Sequence, residues 1–177
     1  MKILHVNTYD SQGGAARAAY RLHQALLAES IDSKMLVQKK TSDDNTVIAP
    51  TSKFEKGISL LRPTLDNLPL QQYKHRTQSL FSPAWLPFSK IPKKIAQINP
   101  DIVHLHWIAG AMMSVQDIGK INKPIVWSLH DMWAFTGGEH YDEDQQHYLD
   151  KCGNSTVLNS KKDNDLSRKG WERKRQV

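Results

Sequence analysis

Three short stretches of the chain gather residue types able to do chemistry. The first is YDSQGGAAR at residues 9–17. Glycine lets a backbone turn with positive φ and approach a ligand closely, and a helix opening behind Gly13 and Gly14 would offer free N–H groups to an anionic or hydroxylated group. Neither the GxGxxG fingerprint nor the P-loop lysine is present, so by themselves the two glycines fit a tight turn as well as a ligand loop. The second is His104-Leu105-His106-Trp107. Two imidazoles two residues apart on a strand share one face and can chelate a metal, and with His130, Asp131 and His140 a metal-dependent hydrolase is one reading. Histidines hydrogen-bonded in a polar cleft are the other, and the further ligand-bearing strands of such a hydrolase have no counterpart in the sequence. The third is SLHDMWAFTGG at residues 128–138, directly after an apolar run. His130 there can donate to a substrate hydroxyl or move a proton near neutral pH, and Asp131 can orient it or bind a sugar hydroxyl. A helix cap at Asp131 with His130 filling space satisfies the same residues.

The elements that must position these groups follow from the pattern. Residues 2–7, KILHVN, predict a buried strand. Ala16, Ala19, Tyr20, Leu22, Leu26 and Leu27 then fall at helical spacing behind the glycines. Strands are expected at 33–38 and 46–49, the latter ended by Pro50. Between 51 and 90, Pro63, Pro69, Pro83 and Pro87 punctuate apolar segments, which predicts an insertion of short helices and turns. A helix over 92–98, a strand in IVHLHWIAG, a helix over 113–121 and a strand in IVWSL complete a second strand-helix-strand unit. Strands alternating with helices predict an α/β fold, a Rossmann-like parallel sheet with flanking helices spanning 1–138. In open sheets of this kind ligands bind beyond the carboxyl ends of the strands, which is where His130 falls. Residues 139–177 read as a polar acidic loop, with Glu139, Asp142, Glu143, Asp144 and Asp150, and then a basic helix begun by Asp165 or Ser167.

The 177 residues carry 39% hydrophobic and 24% charged side chains and a formal charge of +6. That composition places the chain among globular domains and favours anionic partners. Nucleic acid is excluded as the expected partner, because no helix-turn-helix, zinc-finger or RNA-recognition signature accompanies the charge. Residues 51–100 hold eight Lys or Arg against Glu55 and Asp66, interleaved with Leu, Phe and Trp. Such a segment can lie on an anionic membrane surface, or form a solvated face over a core. The single cysteine, Cys152, and the lack of a secretory leader or a membrane-spanning run predict a cytoplasmic protein, with the inner face of the cytoplasmic membrane as a peripheral location.

KILHVNTYDSQGGAARAAYRLHQALL, PDIVHLHW and SLHDMWAFTGG, followed by HY, CGN and DLSRKGWERK, together resemble the N-terminal half of bacterial glycosyltransferases of family 4, most closely the colanic-acid and exopolysaccharide type. The resemblance implies a GT-B architecture, in which two Rossmann-like domains face a cleft. The N-terminal domain would hold a saccharide or lipid-linked acceptor, the C-terminal one a nucleotide-sugar donor, and a hexose would be transferred with no metal and no cofactor beyond that co-substrate. It implies that Gly13 and Gly14 approach the donor diphosphate and that His130, with Asp131 beside it, contacts the transferred sugar. Arg17, from its position on the first helical turn, can offer a guanidinium to phosphate, and His106 is a further candidate for the substrate side.

Two departures from the family pattern shape the expectations. The donor-binding domain, with its E-x7-E element, has no counterpart in these residues, which leaves three readings: half of an enzyme completed by a separate chain, a truncated non-catalytic sugar- or phosphate-binding remnant, or, on the histidine motif alone, the hydrolase. The resemblance also implies a cysteine cluster whose positions here are Glu139, Gln145 or a neighbour, Cys152 and Ser155, so only Cys152 remains, and no catalytic role is expected of it.

Overall fold

A computed structural model describes residues 1–141 and 146–177. Asp142, Glu143 and Asp144 of the expected acidic run, and Gln145, lie outside the described residues.

The described chain is built on a five-stranded, all-parallel sheet in the order β3-β2-β1-β4-β5. β1 spans Lys2–Tyr9, β2 Asp32–Lys39, β3 Val47–Ile48, β4 Ile102–Leu105 and β5 Ile125–Trp127. β1 is buried along most of its length because it lies at the centre of the sheet, with β2 on one side and β4 on the other. Alternation divides its side chains: Leu4 and Val6, with Leu36, Val103 and Leu105, join a core also containing Ile95, Met113 and Trp133. The opposite face carries Met35, Val37 and Val47 beneath α1, Gly14–Ala28, which contributes Ala19. His5 and His104 are register partners across β1 and β4, and His106 follows at the end of β4. The fold is the expected α/β, Rossmann-like one.

The insertion is more regular than predicted. α2 runs over Lys53–Asp66 as fourteen helical residues, with Ser52 accepting from the Glu55 N–H as its cap and Pro63 inside. Proline has no N–H for the carbonyl four residues back. Here that carbonyl, on Ser59, accepts from the Gln38 side chain of β2 at 2.9 Å, so a tertiary partner repairs the helix where sequence pattern predicts a break. A 3₁₀ turn follows at Leu68–Gln72. The Asp66 carboxylate then gathers the backbone N–H groups of Ala84, Trp85 and Leu86 and folds the irregular stretch back onto α2. α3, Ile91–Ile98, matches expectation and ends on Asn99 in the left-handed region.

The helix expected over 113–121 is only α4, Val115–Ile118, started by a reciprocal Ser114–Asp117 capping box. α5, Leu166–Arg175, begins at its Asp165 cap, the first of the two starts read from the sequence. The described residues after 145 are packed onto the domain. Val157, Leu158 and Leu166 share a second core with Leu70, Phe81 and Tyr73. α5 lies backbone to backbone on the loop before it, since a Cβ on Gly170 would stand 1.7 Å from the Gly137 carbonyl oxygen. Among the described residues no helix is long and apolar enough to cross a membrane.

Candidate functional site at the carboxyl edge of the sheet

The loops that follow β1, β4 and β5 leave the same edge of the sheet. β1 and β4 stay tied beyond their ladder: Trp107 N donates to Asn7 Oδ1 at 2.8 Å, and Thr8 N donates to the Trp107 carbonyl at 2.8 Å. Tyr9 and Trp107 stack, with ring centroids 6.2 Å apart. Gly13 caps α1 with φ 87°, a conformation open to glycine, and no side chain caps the helix start. A Cβ on Gly13 or Gly14 would meet nothing within 4 Å, so the loop faces open space and its first-turn N–H groups are free for a ligand. Arg17 is exposed and folds back, with Nε 3.4 Å from the Gly13 carbonyl. The sequence did not single out Asp10. Its buried carboxylate accepts from Thr41 N, Thr41 Oγ1 and Ser42 N and so binds the loop after β2 to the loop after β1.

Histidines dominate the face that α1 only partly covers. His5 Nδ1 and His106 Nε2 are 3.0 Å apart, and His106 Nδ1 and His130 Nε2 are 3.1 Å apart, forming a continuous chain of three imidazoles. His5 is fully buried, His106 nearly so, and His130 is exposed. His104 stacks on His106 with centroids 4.2 Å apart, and its Nε2 pairs with Ser128 Oγ at 2.8 Å. On α1, His23 pairs through Nδ1 with Ser33 and through Nε2 with Thr46, each at 2.7 Å. Burial, then the charge of neighbouring imidazoles, pushes His5 and His106 down to about 3. His104 and His23 are lowered too, again mainly by burial. His106, expected on the substrate side, therefore reaches the exposed edge only through His130, because both its nitrogens are engaged.

One nitrogen each from His5, His104 and His106 lies within 4.8 Å of the others. A tetrahedral zinc ion would need ligand nitrogens about 3.3 Å apart, given its ~2.0–2.1 Å bonds. Both His106 nitrogens already hold hydrogen bonds, so a metal bound by all three rings would have to displace one of them.

Asp131 does not turn to its neighbour His130 in the way expected of a supporting carboxylate. Its oxygens accept from Trp107 Nε1 at 2.9 Å and Trp133 N at 3.0 Å, and pair with His140 Nδ1 at 2.6 Å. Burial works to raise its pKa, but the His140 contact, the Trp133 N–H and the Trp107 indole outweigh it and hold the carboxyl below the usual carboxylate range. His140 in turn pairs through Nε2 with Ser82 Oγ at 2.8 Å. Asp131 thus fixes the loop that carries His130, and His106 fixes the ring.

Three of the positions where the resemblance implies cysteines are among the described residues. Glu139, Cys152 and Ser155 are all buried. Lys174 of α5 donates to the carbonyls of Trp133 and Thr136 and sits 3.8 Å above the Trp133 ring. Burial pushes its amine down to about 7, against the opposing pull of Glu139.

The cavity among His106, Trp107, His130 and Asp131 is about 10 Å³, too small for a ligand. The large cleft, about 870 Å³, opens beyond β1, β2 and β3 and is lined by Tyr9, Lys39, Thr41, Lys56, Leu60 and Gly110, among others. This edge combines a glycine loop with free amides, an exposed imidazole held from behind, and a lysine-lined cleft with apolar walls, chemistry suited to a phosphorylated, hydroxyl-rich ligand. A family model described as Glycosyltransferase Family 4 matches residues 12–160. Comparison with curated proteins and with solved structures returns no match. The match takes in the glycine loop, the histidine strand and the His130 loop on one parallel sheet, and the chain belongs to glycosyltransferase family 4.

Proposed function

We propose that this domain is the acceptor-side half of a metal-independent hexosyltransferase of surface polysaccharide synthesis, acting on a lipid-linked acceptor at the inner face of the cytoplasmic membrane. The observation that carries the reading is the 870 Å³ cleft on the same sheet edge as the glycine loop and His130. In the transfer, the bond from the sugar's anomeric carbon to the donor diphosphate breaks and one to an acceptor oxygen forms. The acceptor's proton passes to the leaving phosphate oxygen as the nucleoside diphosphate departs. Negative charge grows on the leaving phosphate, and the free amides behind Gly13 and Gly14, with the Arg17 guanidinium, are the groups of this chain suited to meet it. His130 contacts the transferred sugar, and Asp131 holds its loop.

Lys39, Lys40 and Lys56 supply positive charge in the cleft, and Ile48, Pro50 and Leu60 supply apolar wall. Leu60 is 73% exposed, and Phe54 and Leu61, about 100° further round α2, are 71% and 63% exposed. A lipid carrying a diphosphate-linked sugar matches that combination, since its chain could lie along α2 while its phosphates meet the lysines.

Calorimetry with a polyprenyl diphosphate monosaccharide in micelles, and separately with UDP- and GDP-hexoses, tests the reading. The acceptor should bind, more weakly by tenfold or more in Lys39→Glu and Lys56→Glu, while the nucleotide sugars leave the chain unchanged. Tight binding of a nucleotide sugar, or no binding of the acceptor, would overturn it. Flotation with anionic and neutral liposomes checks the membrane face, and equal recovery in both at low salt would remove it.

A further inference from the structure

The imidazole chain has a direction, and its buried end sets it. A neutral imidazole carries one proton on one of its two nitrogens. When three rings are joined through two hydrogen bonds, the protons must all point the same way. Either His5 donates to His106 and His106 to His130, or the order is reversed throughout. Burial keeps both inner rings uncharged near neutral pH, so each of the two carries one proton.

The two directions differ at His5 Nε2. This atom is buried and has no hydrogen-bond partner among the described residues. In the reversed direction it would carry a proton and become a buried N–H with nothing to accept it, the rarer and costlier kind of orphan. In the forward direction it is a bare lone pair. The middle ring cannot rotate to escape the choice: both its nitrogens are bonded, His104 stacks on it at 4.2 Å, and its carbonyl accepts from Trp127 Nε1 at 3.1 Å.

We propose that His5 and His106 act as positioning residues which lock His130 in the Nδ1–H tautomer, so that the exposed ring meets a ligand at the carboxyl edge of the sheet as a hydrogen-bond donor and not as a base. His130 Nε2, 3.1 Å from His106 Nδ1, is the acceptor that terminates the chain. The remaining nitrogen, Nδ1, carries the proton outward. A donor there binds an oxygen lone pair, whether on a sugar hydroxyl or on a phosphate, and has no free lone pair with which to take the acceptor's proton. The tautomer stands on the chain's geometry alone, and only its use on a sugar rests on the transferase reading above.

The test is a long-range proton–nitrogen correlation spectrum of the histidine-labelled, metal-free full chain at pH 7.5, with His130 assigned by the loss of its signals in His130→Gln. In the wild type His130 should be essentially all Nδ1–H. In His106→Phe the link is cut, and His130 should relax to the mixture of a solvated imidazole, in which Nε2–H predominates. His5→Phe should leave His130 as Nδ1–H, because the orphan then becomes His106 Nε2 and imposes the same direction. An Nε2–H His130 in the wild type, or one unmoved in His106→Phe, would overturn the proposal, and the wild-type spectrum decides even if a variant fails to fold. An Nδ1–H His130 in a protein that binds no saccharide would remove the transferase reading and leave the chain's direction intact.

Discussion

Ser155 Oγ donates a 2.6 Å hydrogen bond to Glu139 Oε1, joining two buried side chains at two of the positions where the resemblance implies cysteines. The other Glu139 oxygen accepts from Gly137 N at 3.1 Å, and Ser155 N donates to Asp165 Oδ2 at 2.9 Å. A polar bridge therefore ties the loop after residue 138 to the start of α5 without a metal ligand pair or a disulfide between these two residues. Ser155→Ala leaves a buried carboxylate oxygen without its donor, which costs roughly 1–3 kcal/mol. Thermal unfolding should show a midpoint lower by several degrees, and an unchanged midpoint would mean the bridge carries no stability.

Stability should also decline on mild acidification. His5 and His106 sit near about 3 in the folded chain against 6.5 in the unfolded one. Between those values the unfolded chain takes up protons that the folded chain refuses, so the stabilisation is complete above about pH 6.5 and drains as pH falls toward about 3. At pH 5 the loss is roughly 2 kcal/mol for each ring. His23 and His104, also lowered, add to it with the same sign. Asp10, Asp44 and Asp131 are held below their usual range, so their contribution is lost only in more acid solution. Urea midpoints at pH 7.5 and 5.0 measure the effect, and equal midpoints would contradict it.

Two glycine substitutions should move stability in opposite directions. A Cβ on Gly170 would lie 1.7 Å from a backbone oxygen, so Gly170→Ala must lift α5 off the Gly137 loop. Gly57, inside α2, has open space where its Cβ would go. Gly57→Ala should stabilise by about 0.5–1 kcal/mol through helix propensity. Denaturant unfolding of both variants checks the pair, and a tolerated Gly170→Ala would show that α5 is not packed as described.

His130→Ala, assayed with the donor-binding half present, should lower turnover by roughly 10²–10³-fold, the scale for removing one donor to developing charge. The acceptor's affinity, set in the separate cleft, should change little. Wild-type turnover in the variant would remove His130 from the reaction.

The sequence by itself determined much of this protein. Short apolar runs bounded by polar residues placed the strands, helical spacing placed α1, and the glycines behind β1 and His130 behind β5 marked the candidate functional edge. Those signals are local, because strand alternation, capping residues and turn glycines act over a few neighbours. It could not show α2 running through Pro63, because the Gln38 side chain that takes the stranded carbonyl comes from another element. Nor could it turn Asp131 toward His140 and away from His130, or reveal Asp10 and Lys174 as anchors of their loops. His5 is the clearest case. In KILHVN it reads as one polar residue in a buried strand, and only the pairing of β1 with β4, which sets His5 beside His104, brings it to His106 and through it to His130. Tertiary structure decided these points, because strand register and the dead end of a buried hydrogen-bond chain depend on residues about a hundred positions apart in the chain.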